Sequence, residues 1–374
     1  MTAMPLMSHA PDFSAPASRP WSADQDETLC CVQVRQETHD VKTFVLAANG
    51  PRSFRYLPGQ FITLELDIDG RRINRCYTLS STPTRPDLVS ITVKRVPGGV
   101  VSNWLHDHLH VGMALGAMGP SGAFTCFADG TAQSQAYLFV SGGSGVTPLM
   151  SMTRALHDLG SDADIVFLHC ARTPADLLFA EELTMMARNM PRLRLAMVCE
   201  HHLPGSPYAG HLGRMDAHRL AHIAPDFLQR DVYTCGPAPF MAAVCGLLVA
   251  AGFDLQRYRE ESFSFESLPV DSASAPVNAQ TTDESVAKTH RIQLQKMAGT
   301  FDCREDQTIL QAAIAAGFRL PSSCSSGACG TCKTRKVSGQ IEMKHAGGIR
   351  QREIDQGWML PCCSRPTSDI VLDR

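Results

Sequence analysis

The segment YLFVSGGSGVTPLMSM, residues 137 to 152, joins an apolar strand, a glycine-rich turn and a helix without a break. The strand runs into Gly142, Gly143 and Gly145, and the helical pattern starts directly after them. A strand, a glycine turn and a helix in this order form the arrangement with which βαβ folds bind dinucleotides. The segment therefore predicts a parallel sheet with a nucleotide-binding turn.

Thr147 and Pro148 stand where the G-x-G-x-x-G fingerprint has its last glycine. Pro148 suits the first turn of a helix, because the amide hydrogen that proline lacks has no partner inside the helix at that position. The departure from the fingerprint is therefore compatible with a helix that starts at this turn.

The surrounding region, residues 133–265, alternates apolar strands with helical stretches and predicts a doubly wound parallel sheet. One predicted helix is ADLLFAEELTMMARNM, residues 175–190. A second strand ends at Cys235 and turns through Gly236 and Pro237 into another helix. Both turns fall at carboxyl ends of strands, where doubly wound sheets bind their ligands. Cys235 is therefore either a packing thiol or a functional group at this crevice.

Residues 28–128 show short strand-like runs separated by Gly, Pro and Asp, which predict an antiparallel barrel or sandwich. Within them, RCYTLSS places Arg75 and Tyr77 two residues apart, so that both side chains point to the same face of a strand. One can hold a phosphate and the other can stack on an aromatic ring, with the Thr78 hydroxyl near the edge of that ring. Taken alone, the pattern also fits an ordinary β-strand.

The next motif, KRVPGGVVSNWLHD, residues 94–107, makes a functional interpretation of that strand stronger. Gly98 and Gly99 lead into a predicted helix that begins near Val101 or Ser102. Glycines before a helix leave backbone N–H groups available for a pyrophosphate. The motif therefore predicts a second phosphate-binding helix terminus.

Four cysteines near the C-terminal end have the spacing of a metal site. Cys324, Cys329 and Cys332 lie in SCSSGACGTC, and WMLPCCSRP offers Cys362 or Cys363 as a fourth thiol thirty residues later. This is the spacing of a plant-type [2Fe–2S] site, and the small neighbouring residues allow backbone amides to approach the sulfides. A structural zinc site is the alternative, but such sites usually present paired Cys-x2-Cys knuckles.

The overall charge, the absence of long apolar runs and the cysteine content exclude several classes of protein. The 374 residues carry 34 basic and 37 acidic side chains, so there is no basic field for nucleic acid. No charged and apolar leader of a signal peptide opens the chain, and no run approaches about 18 apolar residues, so neither secretion nor a membrane partner is expected. In a reducing cytoplasm, the predicted location, fourteen cysteines do not form a disulfide framework.

Two segments are predicted to lie outside the folded units. Residues 1–27 are expected to form a disordered leader, and residues 266–287, rich in Ser, Ala, Thr, Asp and Pro, a flexible linker. Beyond the linker, residues 288–374 make a compact third unit that contains the cysteine motif.

Together these motifs resemble the ferredoxin–NADP reductase superfamily with a plant-type ferredoxin domain at the C-terminus. The resemblance covers nearly the whole chain outside the leader and the linker. It implies a multidomain β and α/β protein: an antiparallel FAD-binding β-barrel at 28–128, a doubly wound nicotinamide domain at 133–265 and a β-grasp ferredoxin domain at 288–374. The implied cofactors are FAD, a [2Fe–2S] cluster and NADH or NADPH.

The resemblance also implies roles for single residues. In such reductases the Arg-x-Tyr-Thr/Ser strand binds FAD, which implies that Arg75 holds the pyrophosphate, Tyr77 stacks on the flavin and Thr78 approaches its N5 atom. Cys235 is expected beside the hydride path, and Glu261, in YREESF, at the flavin edge. The implied catalytic set is Thr78, Cys235 and Glu261. The implied cofactor-binding set is Arg75, Tyr77, Thr78, Lys94, Gly99, Val101, Ser102, Phe263, Gly142, Gly143, Gly145, Thr147, Pro148, Arg172, Cys235, Gly236 and Pro237.

For the cluster, the resemblance to plant-type ferredoxins implies Cys324, Cys329, Cys332 and Cys362 as ligands, with Cys363 as a packing thiol. The expected reaction starts with a hydride from the nicotinamide to FAD and continues with single electrons to the cluster.

A narrower resemblance concerns the electron acceptor. ITVKRVPGGVVSNWLHDHLHVGM, HCARTPADLLFAEEL, RYREESF and MKHAGGI look like the reductase components of Rieske-type oxygenases that N-demethylate glycine betaine or a related quaternary amine. The expected partners are such an oxygenase and a nicotinamide dinucleotide. Carnitine and proline betaine systems stay open, as does a reductase for a hybrid-cluster protein or another acceptor. A zinc-binding redox sensor without enzymatic activity is the most distant alternative.

The coenzyme preference depends on two side chains after the second strand of the nucleotide domain. Arg172 is placed to accept the 2′-phosphate of NADPH, but a single arginine is often a solvated loop residue. Asp176 nearby would repel that phosphate, so NADH is the predicted donor.

Overall fold

A computed structural model of the chain describes residues 19–22, 28–128, 131–203, 205, 208–263, 288–297, 299–318, 320, 325, 327–328 and 330–374. The predicted linker, 266–287, and most of the predicted leader lie outside the described residues. Within the described part of the chain, no helix is long and apolar enough to cross a membrane.

The N-terminal part forms a closed antiparallel barrel. Its elements are β1 (Arg19–Pro20), β2 (Thr28–Thr38), β3 (Val41–Ala48), β4 (Arg52–Ser53), β5 (Phe61–Ile68), β6 (Arg71–Thr78), β7 (Val89–Lys94), α1 (Val100–His108) and β8 (Ala114–Ser121). Six strands pair in the order β6-β5-β8-β2-β3-β7. A bridge between Leu79 and Ile91 joins the two ends of this order and closes the barrel. The inward side chains, such as Phe44 and Leu64, are fully buried.

Residues 19–22 were predicted to belong to a disordered leader, but in the structure they pack on the barrel. Strand β1 pairs in parallel with β4, and Trp21 is 7% exposed within the barrel core. The Trp21 indole N–H donates to the Gly119 carbonyl at 2.8 Å. A buried tryptophan with its polar group satisfied anchors this segment on the barrel.

The middle part forms a doubly wound parallel sheet. It contains β9 (Phe127–Ala128), β10 (Thr131–Ala132), β11 (Ala136–Gly142), α2 (Val146–Asp158), β12 (Asp164–Ala171), α3 (Ala180–Asn189), β13 (Leu193–Cys199), β14 (His211–Leu212), α4 (Ala217–Ile223), β15 (Asp231–Gly236), α5 (Ala238–Ala250) and β16 (Tyr258–Ser262). The parallel strand order is β14-β13-β12-β11-β15-β16. The order reverses beside β11, which places the ligand crevice between β11 and β15.

Helix α3 is shorter than the pattern of residues 175–190 predicts. Pro174–Asp176 form a 3-10 turn, and the α-helix begins only at Ala180. Phe179 adopts the left-handed region, with φ of 56°, and is 9% exposed. Burial of its ring compensates for a backbone conformation that a bulky residue rarely adopts.

The C-terminal part is a β-grasp domain. Its elements are β17 (Thr289–Leu294), β18 (Gly299–Arg304), α6 (Ile309–Ala315), β19 (Thr334–Ser338), β20 (Ile341–Met343), α7 (Gln351–Asp355), β21 (Trp358–Met359), β22 (Ser364–Pro366) and β23 (Ile370–Leu372). The mixed sheet has the order β18-β17-β23-β19-β21, and β20 pairs with β22. Helix α6 packs its buried residues Ile309 and Leu310 into a core shared with Cys332 and Cys362.

A buried arginine ties the amino edge of the parallel sheet together. Arg230 is 1% exposed and pairs with Asp164 Oδ1 at 2.8 Å and with Asp226 Oδ2 at 2.7 Å. Its Nη1 also donates to the Tyr137 carbonyl at 3.1 Å. One guanidinium therefore satisfies groups at the starts of β11 and β12.

We expect Arg230→Met to lower the free energy of unfolding by about 2 kcal/mol, because the partners of a buried charge lose their hydrogen bonds. Arg194→Met is the matched control, since Arg194 approaches the same two carboxylates, at 3.4 and 3.7 Å, but is 48% exposed. The control should change stability by less than about 0.5 kcal/mol. Urea unfolding of both variants measures this, and equal losses would contradict the assignment.

Candidate active site

The end of β6 meets the carboxyl edge of the parallel sheet. Thr78 Oγ1 donates to Glu261 Oε2 at 3.4 Å, and Thr78 is 6% exposed. Arg75 and Tyr77 lie on the opposite face of β6, as the alternation of a strand requires, and both are half-buried. The structure thus brings two predicted catalytic residues, one from each domain, into contact.

A row of polar side chains crosses this edge of the sheet. The strand register places His169 beside Ser141, Ser141 beside Cys235 and Cys235 beside Glu261. His169 Nδ1 lies 2.8 Å from Ser141 Oγ, and Cys235 is fully buried. Ser141 and His169 were not predicted from the sequence. Comparing the last residues of successive parallel strands is the signal that would have found them.

Burial decides the ionisation of this row. It raises the pKa of Glu261 to about 8, against the weaker lowering effect of the Thr78 hydrogen bond. It also raises the pKa of Cys235 well above its ordinary value, with Glu261 adding to the effect. Burial lowers the pKa of His169 to about 4. At neutral pH the row therefore consists of a carboxylic acid, a thiol and a neutral imidazole.

The two predicted nucleotide turns pack directly against each other. A Cβ on Gly145 would lie 2.2 Å from the Cys235 carbonyl oxygen, so only glycine allows this approach. Gly145 is also the N-cap of α2, and it has no side chain to cap the helix. The crevice between β11 and β15 therefore presents a helix terminus able to receive a phosphate.

The other predicted residues of these turns occupy matching positions. Gly142 ends β11 and Gly143 follows it with φ of 53°. Thr147 Oγ1 donates to the Ser144 carbonyl at 3.1 Å, and Pro148 is buried in the first turn of α2. On the second turn, Gly236 ends β15 and Pro237 is the N-cap of α5.

The N-terminus of α1 is arranged in the same way. Gly99 is its N-cap and offers no capping side chain. Val101 and Ser102 are buried in the first turn, and Ser102 Oγ accepts a hydrogen bond from the Val96 amide at 3.1 Å. This leaves a helix terminus suited to a phosphate group. Lys94, at the end of β7, pairs with Asp40 Oδ2 at 2.9 Å.

The remaining predicted side chains lie at the rim of the crevice. Phe263 is half-buried and packs against the hydrophobic cluster that the barrel shares with the nucleotide domain. Arg172 is exposed just beyond β12. Asp176 accepts hydrogen bonds from the Thr173 amide and hydroxyl, at 3.1 and 2.7 Å, which holds its carboxylate in place.

Two of the predicted cluster ligands lie together in the C-terminal domain. Cys332 and Cys362 are 3% and 5% exposed, and their sulfur atoms are 3.2 Å apart. Two thiolates on one tetrahedral metal with bonds of ~2.3 Å would stand ~3.8 Å apart, so a small adjustment makes this pair a chelate. Cys324 and Cys329 lie outside the described residues.

Cys363 contacts the side chain of Cys362 and also lies against the cysteine loop. Its Sγ donates weakly to the Leu360 carbonyl at 3.6 Å. A Cβ on Gly327, which has φ of 74°, would lie 2.6 Å from that sulfur. The thiol thus fills the space beside Gly327 of the cysteine loop.

Three family models match successive parts of the chain. The oxidoreductase FAD-binding domain matches residues 29–126, the oxidoreductase NAD-binding domain residues 139–246 and the 2Fe-2S iron-sulfur cluster binding domain residues 292–367. The fold is similar to that of phthalate dioxygenase reductase, with a TM-score of 0.54 and 24% identity, over 94% of this chain and 98% of that one.

Curated relatives match over almost their full length. A glycine betaine monooxygenase reductase subunit from Pseudomonas aeruginosa is 41% identical, over 97% of this chain and 99% of the relative. A stachydrine N-demethylase reductase subunit from Rhizobium meliloti is 39% identical, over 93% and 96%.

The fold and the site thus define a nicotinamide-dependent flavin and iron–sulfur oxidoreductase. The chain belongs to the family of reductase components that pass electrons to an oxygenase. The predicted superfamily, fold class and cofactor classes are confirmed.

The raised pKa of Glu261 makes stability depend on pH. Between about pH 4.5 and pH 8 the unfolded chain ionises Glu261 while the folded protein keeps its proton, so this residue lowers stability as the pH rises through that window. Glu261→Gln removes the titration. The quantity to compare is the free energy of unfolding of the variant minus that of wild type. This difference should increase by about 2 kcal/mol from pH 5 to pH 9, a value reduced to allow for the partial exposure of Glu261.

The matched control is Glu260→Gln, an exposed neighbour on the same strand. Its difference from wild type should be the same at both pH values. Denaturant titrations at pH 5 and pH 9 give both differences, and a Glu261 variant that shows no change with pH would contradict the assignment.

Proposed function

We propose that this chain is the reductase component of a Rieske-type oxygenase system that N-demethylates glycine betaine or a related quaternary amine. The observation that carries the proposal is 41% identity over nearly the whole chain to a glycine betaine monooxygenase reductase subunit. The names of the two relatives favour a betaine oxygenase over a hybrid-cluster protein as acceptor. Family membership argues against a zinc sensor without activity. A cytoplasmic location stays a prediction from the sequence.

The barrel, 28–128, would hold FAD. Arg75 and the N-terminus of α1, from Gly99 to Ser102, would bind its phosphates, with Lys94 nearby in sequence, and Tyr77 would stack on its ring. When bound, FAD accepts two electrons as a hydride and releases them one at a time to an iron–sulfur centre.

The nucleotide domain, 133–265, would place the nicotinamide against the flavin. The turns at Gly142–Pro148 and Cys235–Pro237 would bind the dinucleotide, and Phe263 would cover the flavin edge. The protonated Glu261 accepts from Thr78 and can still donate a hydrogen bond into the crevice. Cys235 would shape the hydride path by packing as an un-ionised thiol, because burial disfavours its thiolate.

NADH is the proposed donor in preference to NADPH. Asp176 keeps a carboxylate fixed beside the end of β12, where a 2′-phosphate would have to lie. Arg172 is exposed and would compensate only in part.

The ferredoxin domain, 288–374, would bind the cluster through Cys324, Cys329, Cys332 and Cys362. Cys362→Ser should abolish the cluster absorbance of the purified protein, because it removes one of the two closely placed sulfur atoms. Cys363→Ser is the adjacent control and should keep at least about 80% of the iron per chain, since Cys363 packs against Gly327. Iron analysis with visible spectroscopy measures both, and a reversed result would make Cys363 the ligand.

The acceptor is tested by reconstitution. The purified reductase is mixed with the oxygenase component of glycine betaine monooxygenase, glycine betaine, O2 and NADH. Each turnover consumes one glycine betaine, one O2, one NADH and one proton, and yields dimethylglycine, formaldehyde, water and NAD+. We expect one formaldehyde per NADH, at a rate at least about tenfold above that with a stachydrine oxygenase.

Omitting glycine betaine is the control and should reduce both formaldehyde and NADH consumption to background. Repeating the assay with NADPH should lower the catalytic efficiency at least about threefold, because of Asp176. A higher rate with the stachydrine oxygenase would move the proposal to that substrate class, and no transfer to either oxygenase would overturn it.

A further inference from the structure

One outer face of the barrel is covered by the C-terminal domain. The antiparallel register pairs Glu65 with Asn74 on β6 and with Gly116 on β8, and Thr63 with Met118. Paired residues share a face of the sheet, so Glu65, Asn74 and Met118 lie on the same side. Thr78 lies on that side too, four residues along β6 from Asn74, which corresponds to about 13 Å.

A buried ion pair joins the C-terminal domain to this face. Arg350 Nη2 lies 2.9 Å from Glu65 Oε2, and Arg350 Nη1 donates to Glu65 Oε1 at 3.4 Å. The two side chains are 3% and 7% exposed. Arg350 Nη2 also donates to the Ala117 carbonyl of β8 at 3.1 Å. This is a two-pronged contact in a desolvated interface, where geometry matters most.

On the other side, Arg350 is connected to the cysteine loop. It is the N-cap of α7, and its backbone amide donates to Glu353 Oε2 at 2.9 Å. Glu353 Oε1 pairs with Lys333 Nζ at 2.6 Å, and Lys333 directly follows Cys332. Arg350 Nη1 also lies 3.9 Å from Glu353 Oε1, so two ion pairs connect the residue that contacts the barrel to Lys333, the neighbour of a proposed cluster ligand.

The cysteine loop itself reaches β6. A Cβ on Gly330 would lie 3.3 Å from Asn74 Nδ2 and 3.5 Å from Met118 Cε. A Cβ on Gly347 would lie 2.1 Å from Ser121 Oγ, so β8 is also in close contact. The loop that carries Cys332 therefore rests on the strand whose far end carries Thr78.

We propose that the Glu65–Arg350 ion pair is the docking contact that seats the ferredoxin domain on the barrel and thereby sets how fast electrons enter the cluster. The step concerned is the transfer of one electron from FAD, reduced by NADH, to the oxidised cluster. FAD is oxidised, the cluster is reduced, and neither side chain gains or loses an electron. The pair acts by positioning, and the inference does not depend on which oxygenase accepts the electron.

The test uses Glu65→Gln, Arg350→Gln and the double variant in the full-length holoprotein. Stopped-flow absorbance separates flavin reduction by NADH from reduction of the cluster. We expect each single variant to slow cluster reduction about tenfold or more, because it removes the two-pronged ion pair that crosses the interface. Flavin reduction should change less than about twofold, since neither residue touches the nucleotide crevice.

The double variant decides whether the two residues act as a unit. If they do, it is no slower than either single variant, because each single change already removes the pair. Small-angle X-ray scattering of the same proteins, without NADH, should show a larger radius of gyration for the single variants than for wild type. This second measurement reports docking without any turnover.

Two exposed residues supply matched controls. Asp67→Asn changes a carboxylate two residues away on β5, and Arg365→Gln changes an arginine of β22 in the C-terminal domain. Both should leave the rate and the scattering unchanged. If Arg350→Gln fails to keep its cluster, Glu65→Gln, which leaves the C-terminal domain unaltered, decides the result. Normal cluster reduction in Glu65→Gln, or multiplicative slowing in the double variant, would overturn the proposal.

Discussion

The hydrogen bond from Thr78 to Glu261 joins the barrel to the parallel sheet at the edge where the proposed flavin strand meets the nucleotide crevice, and contacts such as that between Arg85 and Asp158 hold the same two domains together. Thr78 ends a strand of the barrel, and Glu261 lies on the last strand of the parallel sheet. The crevice between β11 and β15 opens at the same edge of that sheet. Any rotation of the barrel on the nucleotide domain would separate the proposed flavin strand from the proposed nicotinamide turns.

Buried arginines reinforce both domain interfaces. Arg154, on α2, donates to the Ser80 carbonyl of the barrel and pairs with Glu182 at 2.6 Å. Arg350 makes the corresponding contact between the ferredoxin domain and Glu65. A buried guanidinium that loses one of its partners lowers the stability of the interface. Each interface therefore allows few alternative positions of the two domains relative to each other. The contacts of Arg154 with Ser80 and of Arg350 with Glu65 therefore contribute more to the choice of one relative orientation than to overall stability.

The parts predicted from the sequence are those with a local cause. Gly145 and Pro148 mark a strand, turn and helix within one short segment, and the spacing from Cys324 to Cys332 lies within one loop. The sequence did not predict the left-handed backbone of Phe179, the burial of Trp21 in the barrel core or helix α7. Tertiary packing, and not the local sequence pattern, determines these three features.

The interface residues were missed for the same reason. Glu65 and Arg350 are 285 positions apart, and nothing in either neighbourhood distinguishes them from solvated surface charges. Ser141 and His169 become visible only when the register of neighbouring strands is known.

Strand β6 connects the two contacts physically. All eight of its residues pair in register with β5, so Asn74 and Thr78 cannot move relative to each other without loss of backbone hydrogen bonds. The distance along β6 between Thr78 and Asn74, which contacts the cysteine loop, is therefore constant. Adjustment between the domains is left to the side-chain contacts that Thr78 and Asn74 make with the neighbouring domains. A change at Glu65 should consequently displace the ferredoxin domain as a unit and leave the Thr78 end of the strand intact, because the rigid element lies between them.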